Sequence, residues 1–331
     1  MVAQYFIKEP YLTPSCLLSE TPVYQPATKT LYFIDMPRHQ VLAASVVDSA
    51  VSKVGSATSE DWVEAFATAD DAVIKKWTFN HMITYVGRTP EPDVLVLAAK
   101  EGVAVVDFKT LEPNTATVYD VPYKVHVFAD RPTLRDSLRF NDANVDTHGR
   151  LWAGTMPLDW LSNMAQRIGQ LWRFDGPEMT PTLVLEHLGV PNGMCWSPDN
   201  KYFYLADSAE HTVYRFDYDA ETAAITNRMR FINTDAPIRP DGFTISESGH
   251  IFLTLTNGGS RVLEYTPHGG LVAEYHLPAR KVSCCVFGGD ANDELFVTTA
   301  HDPDAPADDQ GGQIFRFRVK ATALPYNALK A

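Results

Sequence analysis

Cysteine is scarce in this sequence. Four occur in 331 residues, Cys16, Cys195, Cys284 and Cys285, with no CxxC spacing. That excludes a disulfide framework and a cysteine-built zinc site, and leaves buried thiols suited to a reducing compartment. Long hydrophobic runs are absent too. No stretch reaches the about 20 apolar residues that cross a bilayer, and the first residues lack a basic-then-apolar leader. Positive charge is short: 28 Lys and Arg against 41 Asp and Glu give a formal net charge of −13. Such a surface repels nucleic acid and anionic membrane and attracts cations. The expectation is a soluble cytoplasmic protein, a monomer or weak homo-oligomer, that acts on a small molecule. Nucleophile and nucleotide signatures are also missing. There is no GxSxG elbow, P-loop or GxGxxG, and the ten histidines are scattered without metal-ligand spacing.

What is present is a repeat. Six apolar runs, Leu31–Asp35, Leu95–Ala99, Leu151–Thr155, Phe203–Asp207, Ile251–Leu255 and Leu295–Thr299, start 64, 56, 52, 48 and 44 residues apart. A second strand-like run follows each: 40–43, 102–108, 170–174, 212–216, 261–265 and 313–317. Aromatic and β-branched residues fill the runs, and Pro, Gly, Asn and Asp punctuate the gaps. A period of about 55 residues fits an all-β fold of one domain, residues 1–331, with six four-stranded blades around a channel.

Strand direction then places the polar residues. The innermost strand of a blade begins on one face of the disc, and the loop between second and third strands returns there. Counting back ten to twelve residues from each second strand gives Glu20, Asn141, Asn192, Asp241 and Ser283. Blade two gives Thr84 and Tyr85, with no obvious ligand. Any one of these residues could be making a turn, but the shared register points to one site at the channel mouth. Carboxylates and amide oxygens are hard donors that suit Ca²⁺, Mg²⁺ or Mn²⁺.

The sequence resembles the family of senescence marker protein 30 (regucalcin), gluconolactonase and related sugar lactonases, over roughly Cys16 to Arg318. The resemblance is carried by Ser19-Glu-Thr-Pro-Val23, Arg139-Phe-Asn-Asp142 with Asp146, Gly154-Thr-Met156, Pro191-Asn-Gly-Met194 and Trp196-Ser197. Further matches are Asp207-Ser208, Arg239-Pro-Asp-Gly242 and Ser283-Cys-Cys285 with Phe287-Gly-Gly289. It implies a six-bladed propeller with one divalent cation, Ca²⁺ first and Mg²⁺, Mn²⁺, Zn²⁺ or Fe²⁺ as alternatives. It also implies that Glu20, Asn192 and Asp241 hold the cation, with Asn141 as a further donor. Arg139 and Asn141 would bind substrate, and the family's acidic lid residue lines up with Asp159. The implied reaction is hydrolysis of a sugar lactone to the aldonic acid. Asp241 is the candidate general base, with direct attack by a cation-activated water as the rival route. Two other functions stay open: hydrolysis of another ester or organophosphate, and a non-enzymatic calcium-binding regulator.

Ala143 and Tyr24 depart from the family pattern without touching a proposed ligand. The larger departure is an insertion at about 56–93, between blades one and two. Its Glu60–Trp77 stretch partly suits a short helix, and surface decoration of the rim is favoured over a substrate lid. The same segment must supply the outer strand of blade one and the inner strand of blade two. The acidic loop His301–Gly312 is expected to be a flexible, solvated loop and not a second cation site. Ring closure is expected from Tyr5-Phe-Ile7, paired with the last blade.

Overall fold

The computed structural model of the chain describes residues 2–55, 62–129, 131–163 and 166–330. Its strands form six sheets, and the six expected second strands and six expected third strands all fall where the repeat puts them. Blade one runs Ser19–Gln25, Thr30–Asp35, Gln40–Ser45 and Ile74–Phe79, from the channel outward. Blades two to four follow the same order, from Ile83–Arg88 through Leu138–Val145 to Pro191–Trp196 as inner strands. Arg239–Ile245 opens blade five and Lys281–Gly288 blade six. The fold is a six-bladed β-propeller.

Both faces of each middle strand are buried, which is why those runs read as continuously apolar. In Val94–Ala99, Leu95, Leu97 and Ala99 pack toward blade one, while Val96 and Ala98 pack toward blade three. Each of the six blade-to-blade interfaces carries its own apolar cluster. Outer strands do the opposite: Ala224–Asn233 is exposed along most of its length.

Closure differs from expectation. Ala3–Phe6 pairs in parallel with Leu271–His276, the outer strand of blade five. Blade six is met further along the chain, where Tyr11 and Leu12 bond Ile314, Cys16 N bonds Gly312 O (2.9 Å) and Leu18 bridges Ala300. The rest of that blade's fourth strand is Trp62–Phe66, paired through Ala65 with Phe317 and backed by Val51–Gly55. The described part of the expected insertion, residues 62–93, carries strands in place of a helix, and along the chain Trp62–Phe66 lies within blade one, between its third and fourth strands, and not between blades one and two. Periodicity misled because Val63 and Ala65 alternate into the interface of blades five and six, a period of two inside a polar stretch. Arg316 and Arg318 fasten the joint. Arg316 bonds Glu294 (2.7 Å) and lies 3.9 Å over the Phe66 ring, and Arg318 pairs with Glu64. The segment does supply the outer strand of blade one and the inner strand of blade two, as anticipated.

Beyond the last strand, residues 320–330 cross the face opposite the mouth. Glu247 N bonds Thr322 O (2.8 Å), Tyr326 Oη bonds Phe287 O (3.1 Å), and Asn327 Nδ2 bonds Val145 O (2.9 Å). Between this floor and the mouth lies a cavity of about 350 Å³, lined among others by Tyr85, Arg88, Asp142, Cys195 and Tyr326.

The borrowed strand generates a prediction. Val63→Asp puts an unpaired carboxylate between blades five and six and should cost about 3 kcal/mol or more in urea unfolding. A change within about 0.5 kcal/mol, normal for a surface site, would show that the hairpin is dispensable.

Candidate active site at the channel mouth

All six innermost strands break register near their start. The bulges fall between Glu20 and Val23, Ile83 and Tyr85, Phe140 and Ala143, Pro191 and Met194, Pro240 and Phe243, and Val282 and Cys284. A bulge leaves residues out of the ladder and re-aims their side chains. Each expected position (Glu20, Thr84, Asn141, Asn192, Asp241, Ser283) borders or lies inside one. The glycines of Pro-Asn-Gly and Pro-Asp-Gly permit the close packing this needs. A Cβ on Gly193 would meet the Asp241 carbonyl at 2.8 Å, and one on Gly242 would meet the Cys284 Cα at 2.8 Å.

Hydrogen bonds tie each blade to the next around this ring. Val86 N donates to Thr21 Oγ1 (3.3 Å), Phe140 N to Lys100 O (3.3 Å), and Asn141 Nδ2 to Pro191 O (3.1 Å). Ser208 Oγ donates to Pro240 O (2.7 Å), Thr254 Oγ1 to Ser283 O (2.8 Å), and Ser283 Oγ to Ser19 O (2.6 Å). Ser283 is thus spent on the ring and is no free donor to the site.

Glu20, Asn141, Asp142, Asn192 and Asp241 are all buried, each 7 to 8% exposed. They come together. Burial raises the Glu20 carboxyl far above the usual range, and the charges of Asp241 and Asp142 add to the effect. Burial and Asp142 do the same to Asp241, opposed by the Asn192 amide and the Gly242 N–H. Burial lifts Asp142 to about 7. Asp241 Oδ1 is buried with no hydrogen-bond partner. Asn192 Nδ2 is anchored on Ser208 Oγ at 3.1 Å, which leaves its oxygen as the donor to a cation. Asn141 Oδ1 already accepts from Arg139 Nη1 at 2.9 Å. Burial lowers Arg139 to about 10 and the Glu20 charge opposes that.

Among the described residues no three Asp, Glu, His or Cys side chains form a ready cation cage. The donor set that fits one is two carboxylates and an amide: Glu20, Asp241 and Asn192. Like charges out of water and an orphaned carboxylate oxygen are what a divalent cation relieves.

Asp159 stands apart. It lies exposed on the loop between the second and third strands of blade three, where its Oδ1 accepts from Ser162 N (3.4 Å) at the short helix Trp160–Asn163. That loop does reach the mouth, since the Arg239 guanidinium lies 5.9 Å over the Trp160 ring. Sequence reasoning gave no role to Arg239, Trp160 or Ser208, though Arg239 and Ser208 belong to matched motifs. The acidic loop is also more anchored than expected. Asp302 is buried against Arg280 and Lys281, each at 3.2 Å, and Asp309 Oδ2 accepts from Arg280 N at 2.7 Å.

With this geometry in view, comparison with known proteins is informative. Residues 18–301 match the SMP-30/Gluconolactonase/LRE-like region family. Pentonolactonase XacC of Haloferax volcanii is 38% identical over 205 residues, 59% of this chain and 66% of that protein, so the match spans just under two thirds of that relative. Regucalcin of Pongo abelii is 29% identical over 335 residues, covering 96% of each chain. The crystal structure of regucalcin, a calcium-binding protein from Agrobacterium tumefaciens, superposes with a TM-score of 0.78 at 19% identity, over 98% of this chain and 99% of that one. The superposition agrees with the fold and the family match with the resemblance in the motifs, and the chain belongs to the SMP-30/gluconolactonase/LRE-like family.

Proposed function

We propose that this protein hydrolyses a sugar lactone with one divalent cation, Ca²⁺ first, held by Glu20, Asn192 and Asp241. The observation that carries the reading is the buried, unpartnered Asp241 Oδ1 amid mutually repelling carboxylates, in a family with a relative named as a pentonolactonase. When bound, the cation would polarise the lactone carbonyl and stabilise the oxyanion, an effect on the order of several kcal/mol.

The chain supplies the rest. Arg139, steadied by the Phe140 carbonyl (2.8 Å) and Asn141, offers its remaining donors to ring hydroxyls or the exocyclic oxygen. Asn141 holds that guanidinium in place and faces the same mouth. Asp241 takes the proton from the attacking water, with coordination lowering the basicity that burial gives it. Asp159, exposed on its loop, would accept from substrate hydroxyls. The proposed setting is a cytoplasmic one, supported by four buried, unpaired cysteines. No helix among the described residues is long and apolar enough to cross a membrane.

A second reading is cation binding without turnover, for which the observation is a structural neighbour described as a calcium-binding protein. One assay separates the two. Lactone turnover abolished by chelator and restored by metal supports the enzyme, and cation binding with no lactone turned over supports the regulator.

Three outcomes are expected. A cation at a hundredfold excess over its Kd should add about 2.7 kcal/mol and raise Tm by roughly 4 °C. Asp241→Asn should abolish that shift in differential scanning fluorimetry and lower kcat about a thousandfold, roughly 4 kcal/mol of barrier. The metal-free variant should be no less stable than wild type, because a desolvated charge has gone. A retained cation shift would remove Asp241 from the ligand set. Asp159→Asn should instead raise KM about tenfold with a smaller fall in kcat, read from steady-state kinetics at saturating metal. Loss of turnover there with Asp241→Asn near wild type would reverse the two roles.

A further inference from the structure

Several charges on the rim of the mouth are paired with one another. Arg38 bonds Asp35 (2.8 Å), Lys100 bonds Glu101 (3.8 Å), and Arg167 bonds Glu210 (3.2 Å). Arg280 and Lys281 both bond Asp302. Among the described residues, Arg139 and Arg239 have no carboxylate ion-pair partner.

These two occupy the same register. Arg139 stands opposite Met156 and Arg239 opposite Thr256, each two residues ahead of a site residue, Asn141 or Asp241. Lys281, opposite Ala300, holds the position in blade six. Blades one, two and four put Leu18, Met82 and Val190 there. Cations therefore sit on both sides of blade four, the blade that contributes Asn192.

Arg139 already has work in the site. Arg239 has none, yet it is built in. Its Nη1 donates to Ser208 O (2.9 Å), and its guanidinium lies over the Trp160 ring, which reaches across from blade three. The Asp207 carboxylate is near but accepts from Gly189 N (2.8 Å) and Val190 N (2.9 Å). An arginine has five donors, so a fork remains for a ligand. Two residues of strand separate Arg239 from Asp241, about 6.6 Å, comparable with the reach of a sugar lactone from its carbonyl to its far end.

We propose that the substrate is an anionic lactone, carrying a carboxylate or phosphate remote from the lactone carbonyl, and that Arg239, backed by Trp160, selects it. The inference rests on the lactonase reading above. A planar fork suits either oxyanion bidentately, and the protein's net charge of −13 makes a local cationic patch the means by which such a substrate is admitted.

The test is steady-state kinetics on a neutral aldonolactone, an aldaric monolactone and a phosphorylated aldonolactone, with divalent cation present. Wild type should show kcat/KM at least tenfold higher for one anionic lactone than for the neutral one, and the better arm identifies carboxylate or phosphate. Arg239→Gln, which can still donate to the Ser208 carbonyl, should cut that ratio about tenfold, mainly through KM. Arg239→Lys should restore part of it. A wild-type preference for the neutral lactone overturns the inference and leaves the lactonase reading standing. So does an equal fall on all three substrates in Arg239→Gln, which would mark Arg239 as a prop for Ser208. Failure of every lactone, with the cation bound, overturns the lactonase reading itself.

Discussion

Glu20, Asp142 and Asp241 are held out of water and within range of one another's charge. Nothing in that arrangement favours folding. Desolvating even one unpaired carboxylate costs several kcal/mol, and like neighbours add to it. The scaffold must therefore be stable for other reasons, and it must be stiff enough that the carboxylates cannot drift apart. The six apolar clusters between blades supply the stability. They lie away from the axis, so the mouth can be chosen for chemistry without being needed for the core.

Stiffness comes from the ring of hydrogen bonds at the mouth. Each blade is bonded to the next, from Thr21 and Val86 round to Ser283 and Ser19. The bulges that turn the site residues toward the axis sit inside this ring. A bulge on its own is a weak point in a ladder. Six of them, cross-bonded, form a collar in which a carboxylate has little room to relax. The raised affinity of Glu20 and Asp241 for a positive partner, proton or cation, is a consequence of that rigidity as much as of burial.

Much of this was legible in the sequence, for a physical reason. Middle strands buried on both faces must be continuously apolar, so their period could be read directly, and the inner-strand residues followed by counting back. Glu20, Asn141, Asn192 and Asp241 were found that way and are brought together. What could not be read depended on partners distant in sequence. Trp62–Phe66 pairs with a strand some 250 residues later, and local pattern cannot show that. Arg239 belongs to a recognised motif, but its lack of a carboxylate ion-pair partner is visible only when the rim is in place. Asp302 looked solvated because acidic loops usually are; its burial follows from two cations on another segment.

The borrowed strand of blade six has a consequence for how such a ring can change. A propeller built of equal, self-contained units can gain or lose one by duplication or deletion. Here the sixth sheet joins residues 51–55 and 62–66 to residues 281–318, so blade six is incomplete until a segment from between the third and fourth strands of blade one arrives. Copying or excising that blade leaves an orphan hairpin or a raw sheet edge. Blade number is locked by a clasp, and the same long-range pairing should make the last step of ring assembly the slow one.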